Sequence, residues 1–351
     1  MSTTEIVIPV TTGETPIQVP VDGPAMPSRR DRKSGETSVH PEPVSLLTPD
    51  RVLDLDPVYD VPTEGFNRFL YKSTFGLVNR GDSMSVRHRK AIDLSIGRNV
   101  GSGGPRFIAI LTRKGGVGKT TVTTLLGMAL ARVREDRVIA IDANPDRGTL
   151  AERFVRGSQF TVRDVVNKAA TISTFTDFSN FITRDKSRID VLASDTDPLL
   201  SEAFDENDFN VVADMVSRYY SIALVDCGTG IVHSVMRATL QRADAVVVVS
   251  GGSFDESRLA AETLTWLDAN GYSNLVRNAI VTINTATQGT NIVKLEEIEA
   301  HFRSRVRDVV RIPYDPLLAA GSVIDFDKLR PVTQEAARLL AALVVDGLQD
   351  N

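Results

Sequence analysis

Cysteine is almost missing from this chain. Cys227 is the only one in 351 residues, so no internal disulfide can form and a reducing, cytoplasmic setting is expected. With only four histidines beside it, a zinc or iron–sulfur centre assembled within one chain is not expected either. Long apolar runs are also scarce. The longest, LLAALVV at 339–345, falls far short of the ~20 residues that a bilayer span requires. The opening MSTTEIVIPVTTGE lacks the basic start and apolar core of a signal peptide, and no stable membrane insertion is expected. Neither sign of charge dominates: 40 Lys+Arg against 45 Asp+Glu leave a formal charge of -5. The chain as a whole is therefore no polycation, and nucleic acid is not an expected partner unless a local patch supplies the contact.

The residues that are present divide unevenly. Residues 1–62 hold 10 of the 16 prolines, no Phe or Trp, and five basic against ten acidic side chains. Such a composition cannot bury enough surface to offset chain ordering, so a disordered Pro-rich acidic tail is expected. Over 63–104 the balance reverses to seven basic against three acidic residues, and Phe66, Phe69, Leu70 and Phe75 recur at roughly helical spacing. A basic helical adapter is expected there, either covering the edge of the domain beginning at 105 or meeting a partner or membrane surface. From 105 to 351 apolar β-branched runs, RFIAIL, RVIAID, IDVLAS, SIALVD, DAVVVVS and NAIVTIN, alternate with helical stretches. That rhythm predicts a three-layer α/β domain around a mainly parallel sheet, with DAVVVVS as a central strand buried on both faces.

The sharpest motif is RKGGVGKTT at 113–121, set between a strand-like and a helix-like segment. This is the context of a P-loop: Gly115, Gly116 and Gly118, with Val117 between them, let backbone N–H groups close around phosphates. Lys119 reaches the terminal phosphates, Thr120 offers a hydroxyl to Mg²⁺, and Thr121 continues the loop into the helix. Two acidic strand ends come later in the chain, Asp142 in RVIAIDANPD and Asp226 in SIALVDCGTG. A carboxylate at such a place is what Mg²⁺ and its water shell need, and Gly228 leaves a switch loop free to move.

The usual first glycine of the loop is replaced by Arg113, and Lys114 stands beside it. This KGG-x-GKT form resembles the deviant Walker A motif of the MinD/ParA family of dimerising ATPases, over about 105–348. The resemblance implies that Lys114 reaches across a homodimer interface to the ATP of the other subunit, and that Asn284 with Pro313 and Asp315 hold adenine. It also exposes a departure. Where the family commonly carries a second Asp that helps position the attacking water, this chain has Asn144, which implies slow hydrolysis unless Asp146 substitutes. The C-terminal VTQEAARLLAALVVDGLQDN, with one Arg and three acids, does not resemble the basic membrane helix of MinD. The blocks FNRFLYKSTFGLVNRG, DANPDRGTLAERF, SRYYSIALVDCGTGI, SGGSFDESRLAAETLTWLDANGY and IPYDPLLAAGSVIDFDKL are further similar to EspI-like ATPases associated with mycobacterial ESX (type VII) secretion.

The expected function is thus an ATP- and Mg²⁺-binding, ATP-dependent dimer that acts as a slow ATPase switch. It would regulate or support type VII secretion from the cytoplasm, reaching the inner membrane only through a protein partner. The rival is a ParA-type partitioning ATPase on DNA or a scaffold, opposed by 28 basic against 32 acidic residues in 105–351. Metabolic ligases of the same fold lack the lysine at the place of Lys114. The nitrogenase-reductase branch needs paired cysteines, and related tyrosine kinases a C-terminal tyrosine cluster, whereas no Tyr occurs after Tyr314.

Overall fold

The computed structural model describes residues 60–101, 104–145, 148–154, 160–195, 204–285 and 293–349. The expected tail lies outside them except for its last three positions. The opening helices are α1 (Gly65–Ser73) and α2 (Met84–Ile96). The sheet and its covering helices begin with β1 (Arg106–Leu111), α3 (Lys119–Val133), β2 (Val138–Ala143), α4 (Val162–Lys168), α5 (Phe175–Ser179), β3 (Thr183–Arg184) and β4 (Asp190–Leu192). Next come α6 (Glu206–Ser217), β5 (Ile222–Cys227), α7 (Ser234–Arg242), β6 (Ala243–Gly251), α8 (Phe254–Ala269), α9 (Ser273–Arg277) and β7 (Ile280–Asn284). The chain closes with α10 (Leu295–Arg303), β8 (Asp308–Ile312), α11 (Pro316–Ala319) and α12 (Pro331–Gln349).

The described strands form one sheet in the order β3-β4-β2-β5-β1-β6-β7-β8. Every pairing is parallel except the short edge strand β3 against β4. Because side chains alternate across a strand, a sheet covered on both faces needs apolar residues at consecutive positions. On β1, Phe107, Ala109 and Leu111 enter one core with Phe209, Val212 and Leu264 of α6 and α8. Ile108 and Ile110 enter the other, with Leu125 and Leu126 of α3 and Leu340 and Val344 of α12. The expected three layers result, and β6, the DAVVVVS strand, is buried from Ala245 to Gly251.

The 63–104 stretch behaves as two different pieces. In α2, Ile92 and Ile96 join the core that α12 lines. Arg134 donates to the carbonyls of Ile96 and Arg98 at 2.7 and 2.8 Å, which satisfies acceptors that the end of α2 leaves open. Ion pairs Arg98–Asp346 at 2.9 Å and Arg338–Asp93 tie α2 to α12. In contrast, α1 buries none of its residues, and Phe66 and Phe69 lie exposed on it. No helix among the described residues is long and apolar enough to cross a membrane.

Candidate nucleotide site

The sheet brings the C-terminal ends of β1, β2, β5 and β7 to one edge, and the motif residues meet there. Between β1 and α3 the glycine loop turns with Gly116 and Gly118 in the left-handed region, at φ +82° and +94°. A Cβ on Gly116 would meet nothing within 4 Å, because it faces open space. One on Gly118 would stand 2.1 Å from the Asn284 amide nitrogen, so this glycine is required both by its backbone angle and by its neighbour. That nitrogen donates to the carbonyl of Val117 at 2.8 Å, and the end of β7 thereby holds the loop in shape. Gly118 is also the N-cap of α3 and offers no side-chain cap. The first N–H groups of the helix therefore have no side-chain cap, an arrangement that favours an anion.

Asp226, at the end of β5 and 1% exposed, gathers the cationic and hydroxyl groups of this helix. One carboxylate oxygen accepts from Lys119 Nζ at 2.5 Å and Thr123 Oγ1 at 3.0 Å, the other from Thr120 Oγ1 at 2.7 Å. Asp142 stands opposite it in register on β2, equally buried, and accepts the backbone N–H groups of Asn144 and Leu150 at 3.2 and 3.0 Å. Burial, and after it the charge of Asp226, push the Asp142 carboxyl up to about 7. Two buried carboxylates thus share one buried ammonium. The excess negative charge, with the Thr120 hydroxyl beside it, is the donor set that a hard divalent cation takes, usually with one or two carboxylates and its own waters.

Lys114 lies across the mouth of the cleft and is 42% exposed at its side chain. Its Nζ is 3.2 Å from Glu256 Oε1 on α8. Burial opposes ionisation of Glu256, but hydrogen bonds from Ser253 and Lys114 outweigh it and hold the carboxyl below its ordinary range. The cleft encloses about 360 Å³ and runs from Lys114, Gly115, Lys119 and Thr121 past Asn144 and Thr229 to Pro313, Leu318 and Gly321. Asp315 lines it too, yet its two oxygens accept the N–H groups of Leu317 and Arg330 at 3.0 and 2.9 Å. Its carboxylate thus caps α11. Asp146 lies outside the described residues. Burial pushes the Cys227 thiol up to about 12, so the single cysteine stays unionised and inert beside the site.

Three residues in or around the cleft are not legible in the motifs. Thr123 sits one turn beyond Lys119, so helical spacing could have found it. Glu256 carries a capping-box signature, Ser253-x-x-Glu256, but nothing local says that the same carboxylate reaches Lys114. The third is Arg153 on the cleft wall.

Comparison with known proteins agrees with this geometry. The AAA domain family model matches residues 105–261. The ESX-1 secretion-associated protein EspI of Mycobacterium tuberculosis is 34% identical over 78% of this chain, which spans only 41% of EspI. The putative septum site-determining protein MinD of Nephroselmis olivacea is 30% identical over 61% of this chain and 73% of its own length. Among solved structures, MinD of Pyrococcus horikoshii complexed with Mg-ADP superposes with a TM-score of 0.55 at 21% identity, covering 68% of this chain and 94% of that one. With its glycine loop set on a MinD-like sheet and 30% identity to a MinD across 61% of the chain, the chain belongs to the MinD/ParA-like family of P-loop ATPases and is similar to EspI.

Proposed function

We propose that the protein binds Mg-ATP in this cleft, dimerises around it, hydrolyses it slowly, and uses the nucleotide state to set its affinity for a partner in type VII secretion. The observation that carries the reading is the Lys119–Asp226–Thr120 arrangement in front of an uncapped helix N-terminus. An ammonium, a hydroxyl and several N–H donors converge there on a space that glycines keep open. Phosphate oxygens are the ligand that uses all of them at once. Mg²⁺ held by Thr120, Asp142 and Asp226 would supply neutralising charge on those oxygens. The rest is the work of the chain. Lys119 exchanges its 2.5 Å pairing with Asp226 for phosphate, Asp226 keeps Thr120 oriented, and Asp142 anchors the segment carrying Asn144 through two backbone N–H groups.

Lys114 supports the dimer. Its side chain is 42% exposed and is held by one partly exposed carboxylate, a pairing worth about 1 kcal/mol or less. A second subunit's phosphates could displace that carboxylate. The secretion role rests on the likeness to EspI, a secretion-associated protein. The site itself is tested by Lys119→Ala, which is expected to abolish binding of a fluorescent ATP analogue. Undiminished binding by the variant would remove the P-loop assignment. For the partner, co-purification from the native cell with and without ATP is expected to enrich a secretion-system component with ATP.

A further inference from the structure

The cleft is lined by a third cation, which lies beside Gly321. Arg153 lies on the single 3-10 turn Ala151–Arg153, downstream of Leu150, whose N–H is fixed by Asp142. It lines the cleft. Its Nη1 is 3.5 Å from the Ser322 carbonyl, and a Cβ on Gly321 would stand 3.6 Å from that nitrogen. Its Nε is buried and has no hydrogen-bond partner among the described residues. The two lysines of the cleft are each paired with a carboxylate, Lys119 with Asp226 and Lys114 with Glu256. A buried donor left unused is costly unless a ligand takes it up.

The position decides which part of the ligand. Phosphates occupy the glycine-loop end, where the N–H groups and Lys119 converge, so the nucleoside must extend toward Pro313, Leu318, Ala319 and Gly321. Those four residues are apolar, Asp315 is turned to backbone N–H groups, and Arg153 is the cation beside Gly321. A guanidinium is planar, weakly hydrated on its faces and able both to stack on an aromatic base and to donate in its own plane to ribose oxygens or ring nitrogens. We infer that Arg153 is a nucleoside-binding residue that grips the base and ribose of the bound nucleotide. The inference rests on the reading of this cleft as an ATP site. Its main chain is separately engaged, with the Arg153 carbonyl accepting from Ile324 N at 2.9 Å, so trimming the side chain leaves that bond in place.

The experiment is calorimetric titration of the full chain, with Mg²⁺ present, by ATP, ADP and inorganic triphosphate. The proteins compared are wild type, Arg153→Ala and Arg153→Lys. Arg153→Ala is expected to weaken ATP and ADP binding alike by about tenfold, the scale of a stacked or in-plane guanidinium contact, and to leave inorganic triphosphate unchanged. Arg153→Lys keeps the charge without the plane and is expected to recover only part of the loss, which also serves if the alanine variant melts early. An equal loss for triphosphate assigns the residue to the phosphates and overturns the inference, as does unchanged ATP binding by both variants. Wild-type protein that fails to bind ATP would overturn the ATP-site reading and this inference together. Wild-type binding with indifferent variants overturns this inference alone.

Discussion

Asp142 carries a charge that the folded chain accommodates poorly, and removing it should make the nucleotide-free protein more stable. Its carboxyl is raised from an ordinary 3.8 to about 7 by burial and by Asp226. The sign comes from linkage: a group whose folded pKa is raised contributes stability that is complete below the unfolded pKa and is lost as pH rises through the folded one. The loss begins near pH 4 and is complete just above pH 7. At about 1.4 kcal/mol per tenfold change, the raised pKa costs on the order of 4 kcal/mol at pH 8, where folded Asp142 is ionised, and roughly 2 kcal/mol at pH 5, where it is protonated in the fold while the unfolded chain's carboxyl is ionised. Asp142→Asn removes the charge and nearly keeps the shape. It gives up one acceptor, since the amide nitrogen cannot receive the N–H of Asn144 or Leu150, a loss of about 1 kcal/mol. The net gain is then about 3 kcal/mol at pH 8 and about 1 kcal/mol at pH 5. For a domain of this size that is a rise in melting temperature of roughly 6 °C and roughly 2 °C. Thermal melts of both proteins in EDTA without nucleotide, at pH 5 and pH 8, measure it, and phosphate release measures the accompanying loss of ATPase. Equal melting temperatures at pH 8, or a wild type that is the more stable there, would refute the reasoning, because Asp142 would then be ionised at no cost.

Four further outcomes are expected. Asn144→Asp should raise steady-state phosphate release at saturating ATP without tightening ATP binding, from a wild-type rate well below the ~1–100 s⁻¹ of kinases; a fast wild type or an inert variant means the water is handled elsewhere. Glu256→Gln keeps the capping box on Ser253 but releases Lys114, so light scattering with ATP and Mg²⁺ should show a dimer several-fold tighter, each freed lysine adding up to about 1 kcal/mol. Lys114→Ala should keep ATP binding and lose that dimer. Gly118→Ala drives a Cβ to 2.1 Å from the Asn284 nitrogen at φ +94°, a backbone strain of about 1–2 kcal/mol before any clash. It should break the Asn284–Val117 bond and weaken ATP binding, and full affinity in this variant would mean the loop tolerates the shift.

Sequence alone determined what a few neighbouring residues decide. The parallel, doubly covered sheet was legible because continuous apolar strands such as DAVVVVS can satisfy only a layer with helices on both sides. The phosphate end was legible because strand, glycines, Lys119, Thr120 and helix are adjacent, and the chemistry of the loop is local. Asp142 and Asp226 could be named as strand ends, but their coupling required β2 and β5 to be neighbours in register. Composition marked 63–104 as one basic helical stretch; packing divided it into α2, locked to α12 by Ile92, Ile96 and two ion pairs, and an exposed α1. Glu256 could be read as a helix cap and Asp315 as a base-end residue. Only the tertiary structure set Glu256 against Lys114, 142 positions away, and turned both oxygens of Asp315 to backbone donors. The physical reason is one of range. Backbone preference and hydrophobic period act over a turn or a strand, whereas the partner of a charged side chain is chosen by which strand ends the sheet order brings to the same edge.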